Sequence, residues 1–167
     1  MLKYVLSALL VFPCTGLCAQ QRPGAAAPAL IGSWRLVSYE DRGPGGVMAY
    51  PYGRTPAGLL VYDATGHMAI QIMKQPPPDV ASDDWEKFTA GERVALYDGY
   101  VAYFGRYEVD ASRGDVIHLP EADLSRLYIG KREVRHFVLD GDHLVLSEEW
   151  TQSGKEWSGI RRFVRLK

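Results

Sequence analysis

The clearest structural pattern in this chain lies in residues 100–110, which read YVAYFGRYEVD. In an extended segment one face of this stretch carries the apolar and aromatic side chains Val101, Tyr103, Tyr107 and Val109. The opposite face carries Arg106 and Glu108. Alternation with a period of two is typical of a strand that packs one face on a core and turns the other to solvent. Residues 100–110 are therefore predicted to form a half-buried β-strand.

Seven further segments have the same strand character: 33–40, 58–63, 67–73, 115–119, 132–139, 143–150 and 157–166. Glycine-containing turns at 64–66 and 140–142 predict two hairpins between neighbouring strands. Residues 41–55, rich in glycine and proline, predict a long loop. The prolines of 75–78 exclude a central strand there, because proline lacks the donor that a sheet requires.

One segment predicts a helix. Asp83 or Asp84 can cap its start and Gly99 can end it. The residues that would form its apolar side are Trp85, Phe88, Val94 and Ala95. Gly91 lies inside the segment and weakens it, so one helix and two short helices are both compatible with the pattern.

Eight strands with mostly short connections favour a closed sheet. A flat open sheet of this size would leave two unpaired edges and one bare face, whereas closure removes the edges. A barrel of eight strands has room for packed side chains or for one small ligand. We predict an all-β fold, an eight-stranded antiparallel up-and-down β-barrel with one short helical insertion, in a single domain over residues 30–167.

Residues 1–19 have the order of parts found in a secretory signal peptide. Lys3 gives a positive start, residues 4–12 form an apolar run, and Ala19 offers a small residue at the cleavage point. A frayed N-terminal core helix is the alternative. We predict cleavage near Ala19, a flexible leader over 20–29, and a protein located in the periplasm or secreted.

Both cysteines, Cys14 and Cys18, lie in the predicted signal peptide. A lipid anchor at either one fits badly, because Pro13 and Leu17 precede them where small residues are required. Cleavage would therefore leave a mature protein without disulfide or thiolate chemistry.

Composition and spacing exclude several classes of protein. The net charge is −1 and the densest basic cluster, 131–135, is interrupted by Glu133, so nucleic acid is not an expected partner. No apolar run reaches the roughly 18–20 residues that span a bilayer. The four histidines lack metal-ligand spacing, and no nucleotide-binding or nucleophile motif occurs, so neither a metal nor a cofactor is predicted. A metal site assembled across strands stays open, as does the oligomeric state.

Several stretches resemble a known family. Gly32-Ser33-Trp34 is the Gly-x-Trp start that lipocalins place at the closed end of their barrel. Residues 51–62, PYGRTPAGLLVY, look more specifically like the bacterial and fungal lipocalin-like domain family. The later stretches that follow the order of that family are 66–68, 102–110, 116–118, 130 and 135–137. Where members often carry a second histidine after the position of His118, this chain has Leu119. The resemblance covers residues 30–167 and implies the barrel, but a fold shared by carriers and enzymes does not choose between them.

Trp34 is expected to plug the narrow end of the barrel. Arg162 lies between Ile160 and Val164 on the face of the last strand that we predict to be apolar. An inward arginine there would stack on Trp34 through a cation–π contact, with a structural role. Arg135 is the rival for that position.

The cavity walls predicted from the sequence are Tyr52, Tyr62, Met68, Ile70, Tyr103, Tyr107, His118 and Arg135. Tyr52 lies in the long loop, which is either a lid that touches ligand or a rigid connection. For each of the others the alternative is plain core packing. His118 is the one candidate for acid–base chemistry, with Glu121 and Asp123 close enough in sequence to orient it. A structural histidine is the alternative.

These features predict an exported protein that binds a small apolar or amphipathic molecule in the barrel. The alternative is an acid–base enzyme of the isomerase or cyclase type that uses the same cavity through His118. A third hypothesis is a structural or protein-interaction module with a filled core.

Overall fold

A computed structural model describes residues 27–167 of the chain. Within them, nine strands form one antiparallel sheet. The strands are β1 (Gly32–Arg42), β2 (Met48–Ala49), β3 (Ala57–Tyr62), β4 (His67–Met73), β5 (Tyr100–Asp110), β6 (Asp115–Asp123), β7 (Glu133–Asp140), β8 (His143–Gln152) and β9 (Lys155–Arg165). The helical segments are α1 (Ala27–Leu30), α2 (Ala90–Asp98) and 3-10 turns at Pro44–Gly46, Trp85–Lys87 and Arg126–Tyr128.

The sheet closes on itself. β1 pairs with both β3 and β9, and every other long strand pairs with its neighbours along the chain. The two-residue strand β2 pairs only with the last two residues of β1, so the barrel itself has eight strands. The predicted eight-stranded antiparallel up-and-down barrel is confirmed.

β6 runs further than predicted, to Asp123 instead of Leu119. The sequence prediction ended at Leu119 because Pro120 cannot donate to a sheet. The register shifts here, since Gly105 faces Pro120 whereas Phe104 faces Ala122. This bulge carries the strand past the proline. Gly105 is required, because a Cβ at this position would lie 2.2 Å from the Leu119 carbonyl oxygen.

The helical insertion consists of two short helical segments, one of the two predicted alternatives, but the break falls before Ala90 and not at Gly91. Asp84 caps only the 3-10 turn, while α2 begins after Thr89, whose side chain forms a capping box with Glu92. The predicted apolar side does not pack, since Trp85 is 66% and Val94 is 58% exposed. Among residues 27–167 no helix is long and apolar enough to cross a membrane.

The two ends of the barrel carry different connections. Short turns at 63–66, 111–114 and 141–142 lie at one end together with α1, and this is the closed end. The longer loops 43–56, 74–99 and 124–132 lie at the other, open end.

The closed end is filled around Trp34, which is fully buried. Its Nε1–H donates to the Leu30 carbonyl oxygen at 2.8 Å. The guanidinium of Arg165 lies 4.0 Å from the indole centroid. Arg165 also donates to the carbonyl oxygens of Ile31 and Ala29, each at 2.7 Å. The closed end is therefore an apolar plug covered by one arginine.

The predicted stacking of Arg162 on Trp34 is wrong. Arg162 lies on the outer face of β9 and donates to Glu40 Oε1 at 2.7 Å. Arg135 does not reach Trp34 either, because it pairs with Glu148. The face of β9 that points into the barrel is the opposite of the predicted one. Its buried residues are Gly159, Arg161 and Phe163. Sequence alternation favoured the opposite face because that face carries Ile160 and Val164.

The predicted signal peptide, 1–19, lies outside the described residues. The predicted leader, 20–29, overlaps α1 at its last three residues. This end of the leader is held in place, because Leu30 is fully buried and Arg165 binds the Ala29 carbonyl.

Candidate functional site

A cavity of about 860 Å3 occupies the open end of the barrel. Its mouth includes five aromatic and apolar side chains: Tyr97, Leu124, Leu127, Tyr128 and Trp150. Charged and polar side chains, among them Asp98, Arg132 and Gln152, line the cavity as well. Its deep wall is more polar and consists of Tyr39, Val101, Tyr103, Arg135, Glu148 and Arg161. A volume of this size falls in the range of small-molecule sites.

Arg161 organises one side of the deep wall and is only 5% exposed. Its Nη2 donates to Glu148 Oε1 at 2.9 Å, and its Nη1 donates to the Glu40 carbonyl oxygen at 2.8 Å. Nη1 also lies 2.9 Å from Asp41 Oδ1, in an ion pair. That carboxylate oxygen is buried and has no contact of hydrogen-bond geometry with another described residue. Gly159 provides the space, since a Cβ there would lie 2.5 Å from the Arg161 guanidinium.

Arg135 completes the ionic network from β7. Its Nη1 lies 2.8 Å from Glu148 Oε2 and 3.5 Å from Glu133 Oε2. Burial opposes the charge of Arg135, yet Glu148 and its other neighbours raise its pKa above the ordinary value. Two guanidinium groups thus face the carboxylates of Asp41, Glu133 and Glu148, so the network has a formal charge of −1. Among residues 27–167 no group of three or more His, Cys, Asp or Glu is arranged to hold a metal ion.

Two tyrosines cover this network. The Arg161 guanidinium lies 3.4 Å from the ring centroid of Tyr39, and Tyr52 packs edge-on against Tyr39 with centroids 4.7 Å apart. Neither hydroxyl makes a hydrogen bond to another described residue. Burial raises the pKa of Tyr39 far above 10 and that of Tyr52 to about 12, although Arg161 opposes both shifts. Both side chains are therefore neutral hydrogen-bonding groups at physiological pH.

His118 lies in the core next to the cavity and is 1% exposed. Its Nε2 is 2.6 Å from the Tyr62 hydroxyl, and its Nδ1 is 2.8 Å from the Tyr103 hydroxyl. Burial, with a smaller effect of Arg135, holds the pKa of His118 well below 6.5. The imidazole is neutral at physiological pH, and both of its nitrogens are occupied.

Comparison with known proteins assigns the family. A family model described as a lipocalin-like domain matches residues 31–166. The chain belongs to the lipocalin-like domain family. Searches of curated proteins and of solved structures found no match. The lipocalin-like barrel is a fold that supports ligand binding in general.

Three of the cavity residues predicted from the sequence of this lipocalin-like protein line the cavity: Tyr52, Tyr103 and Arg135. The other five belong to the filled core: Tyr62, Met68, Ile70, Tyr107 and His118. These five side chains are buried inside the barrel but lie outside the open-end cavity. Tyr107 uses its hydroxyl for the Asp63 carbonyl at 2.8 Å.

His118 is not placed for direct acid–base chemistry on a ligand, because it does not line the cavity. Its predicted orienting partners are also wrong. Glu121 is exposed and pairs with Arg106 at 3.1 Å. Asp123 accepts a hydrogen bond from the Ser125 backbone amide.

The loop that carries Tyr52 is a rigid connection, and it also borders the cavity. The Tyr52 carbonyl accepts from Gln75 N–H at 3.1 Å, and Gly53 adopts a φ of +84°. A Cβ at Gly53 would lie 2.2 Å from the Gln75 carbonyl oxygen, so the loop is tightly joined to the following connection. It is a well-packed loop that still presents Tyr52 to the cavity.

Sequence reasoning missed Tyr39, Glu148 and Arg161 in this lipocalin-like protein. Glu148 and Glu149 are adjacent acidic residues of β8. Adjacent strand residues point to opposite faces, so one of the two carboxylates must turn inward if the strand continues there. That alternation could have identified a buried acid, and Arg161 is its cationic partner on β9.

Proposed function

We propose that this lipocalin-like protein binds one small amphipathic molecule in the open-end cavity, with the polar end of the molecule on the deep wall. The observation that carries the proposal is the pair of hydroxyls on Tyr39 and Tyr52. They border the cavity and have no hydrogen-bond partner among the described residues. Polar groups in such positions fix the orientation of a guest in a pocket.

The charges of the deep wall favour a neutral polar end. Arg135 and Arg161 are already paired with carboxylates, and the network carries a formal charge of −1. An anionic head group would have to displace Glu148 from its ion pairs, at the cost of leaving that carboxylate buried and uncompensated. A carbonyl or hydroxyl group requires no such rearrangement.

The mouth suits the apolar part of the guest. Leu127 is 71% and Leu124 is 43% exposed at the rim of the cavity. Covering such side chains stabilises a complex by about 25 cal/mol per Å2 of apolar surface removed from water. The molecule would therefore bind with its polar end deep and its apolar end at the mouth.

The test is binding of the neutral fluorescent probe N-phenyl-1-naphthylamine. The wild type is expected to bind one equivalent saturably. Val101→Trp, which fills the deep wall, should lower the affinity at least tenfold, whereas Val138→Trp on the outer face of β7 should not. Equal binding by both variants and the wild type would place the probe elsewhere and refute the proposal.

The acid–base alternative depends on a different residue from the one predicted. With His118 outside the cavity, only a group on the cavity wall can meet a substrate, and Tyr103 is the wall residue that contacts His118. The binding proposal needs no reaction, so it is the one that we adopt.

We also propose that the protein is exported. The proposal is supported by the order of parts in residues 1–19 and by the confinement of both cysteines to that segment. N-terminal sequencing of protein from the periplasm or medium should begin at or near Gln20. Leu9→Arg together with Leu10→Arg should leave uncleaved precursor in the cytoplasm. Recovery of the wild type only as the full-length cytoplasmic chain would refute export.

A further inference from the structure

His118 joins a fully buried tyrosine to one on the cavity wall. Tyr62 is 1% exposed, and its hydroxyl contacts Nε2, while Tyr103 lines the cavity and its hydroxyl contacts Nδ1. The chain of three side chains therefore runs from the core to the site. We call it the Tyr62–His118–Tyr103 relay.

The hydrogens in this relay can be assigned by counting donors and acceptors. A neutral imidazole has one donor nitrogen and one acceptor nitrogen. Among the described residues Nε2 of His118 is the one hydrogen-bond partner of the Tyr62 hydroxyl. A buried hydroxyl is rarely left without an acceptor, so Tyr62 donates and Nε2 accepts. Nδ1 then carries the proton and donates it to the Tyr103 oxygen.

In this assignment the hydroxyl hydrogen of Tyr103 has no acceptor among the described residues. Tyr103 receives the Nδ1–H bond, and its hydroxyl has no other hydrogen bond to a described residue. Burial raises its pKa to about 12, so the hydroxyl keeps its proton. Accepting one hydrogen bond polarises the hydroxyl and makes it a better donor.

We propose that the Tyr62–His118–Tyr103 relay fixes Tyr103 as a hydrogen-bond donor to the ligand, and that the ligand class is small molecules with a carbonyl oxygen at their polar end. The proposal rests on the proposed binding function and specifies its polar end. Tyr103 touches the ligand, whereas His118 and Tyr62 are positioning residues.

The first test measures the relay without any ligand. Nitrogen-15 NMR of the His118 ring should show a protonated Nδ1 and an unprotonated Nε2, unchanged between pH 7 and pH 5. In Tyr62→Phe the constraint on Nε2 is gone, and the tautomer should shift toward protonated Nε2. A wild-type ring protonated on Nε2, or on both nitrogens at pH 6, would overturn the relay.

The second test uses 2-acetylnaphthalene and 2-ethylnaphthalene, which differ in the carbonyl oxygen. Tyr103→Phe should weaken binding of the ketone roughly 3- to 10-fold, the effect of one hydrogen bond, and leave the hydrocarbon unchanged. The infrared carbonyl band of the bound ketone should move toward its non-hydrogen-bonded frequency in this variant. Tyr107→Phe removes a hydroxyl that bonds to Asp63 and should preserve both affinities.

The two proposals fail in different ways. If both probes bind to the wild type but Tyr103→Phe weakens neither selectively, the donor role of Tyr103 is refuted and cavity binding stands. If neither probe binds, cavity binding and the ligand class are both refuted, while the tautomer measurement still decides the relay.

Discussion

At the closed end of the barrel Arg165 stacks on Trp34, and at the open end Arg161 stacks on Tyr39. Both arginines belong to the inner face of β9, four positions apart. Arg165 donates to two backbone carbonyl oxygens of the segment that it covers. Its ion pair is with Asp142, whose carboxylate lies 3.6 Å away in the turn between β7 and β8. Arg161 is satisfied by carboxylates of other strands and borders an open space.

The same strand, β9, thus serves two purposes at the two ends of the barrel. Packing at the closed end adds stability through buried apolar surface. Buried charge beside a cavity is a poor source of stability, because desolvation offsets the attraction between the ions. We interpret the open end as a region where stability is given up for a preorganised polar wall.

The largest expected effect comes from emptying the closed end. Trp34→Ala should lower the free energy of unfolding by about 3–5 kcal/mol, through lost burial and a residual cavity. Urea denaturation measures this change, and Trp85→Ala is the control, because Trp85 is 66% exposed and its loss should cost under about 0.5 kcal/mol. Under conditions in which the Trp34→Ala variant is folded, it should bind N-phenyl-1-naphthylamine at the open end with unchanged affinity. A loss below about 1 kcal/mol would show that the closed end is not the main stabilising region.

The next effect comes from the ionic network. Glu148→Gln should destabilise by about 2–3 kcal/mol, because Arg135 and Arg161 both lose a charged partner while they remain buried. Glu149→Gln, one residue along on the exposed face, is the matched control and should be neutral. Glu148→Gln should also alter affinity for N-phenyl-1-naphthylamine. Equal stability of the two variants would mean that the network is solvated and unimportant to the fold.

Acid pH should lower the free energy of unfolding through His118, which lies in the core beside the cavity. The pKa of this buried histidine is held well below 6.5, so the unfolded state binds a proton first as pH falls through 6.5. The contribution of neutral His118 to the free energy of unfolding is therefore present above that pH and lost below it. The loss should be about 1–2 kcal/mol between pH 7 and pH 5. Urea denaturation at both pH values should show the loss in the wild type and in His143→Gln, but not in His118→Gln. An unchanged pH dependence in His118→Gln would contradict the assignment.

The smallest effect distinguishes Arg165, which covers Trp34 in the structure, from Arg162, which the sequence predicted there. Arg165→Ala should cost about 1 kcal/mol through the lost cation–π contact and carbonyl hydrogen bonds. Arg162→Ala should cost under about 0.5 kcal/mol, because the side chain forms an exposed pair with Glu40. Thermal and urea unfolding of both variants measure the difference, and the reverse order would restore the sequence prediction.

Sequence reasoning predicted the strands well, because strand patterns and turn glycines are local. Predicted and observed bounds agree at both ends for residues 67–73 and 100–110. The prediction was wrong where a long-range pairing overrides a local rule. Pro120 ended the predicted strand, yet a bulge opposite Gly105 carries β6 past it.

The candidate site was predicted less well. Tyr52, Tyr103 and Arg135 reach the cavity, whereas five other inward residues belong to the core. Periodicity reports which way a side chain points but not its height along the barrel. That height depends on the register between strands, including the shift between Leu36 and Ser38 where β1 meets β9.

By itself the sequence determined the strand set, the glycine turns, the closure of the sheet and the position of Trp34. Only the tertiary structure decided which face of β9 turns inward. The face with Arg161 does so because Arg161 forms ion pairs there with Asp41 and Glu148. It also decided that His118 lies between two tyrosines and not in the cavity. The physical reason is that alternation along one strand defines two faces equally well, and the choice between them depends on partners brought together from distant parts of the chain.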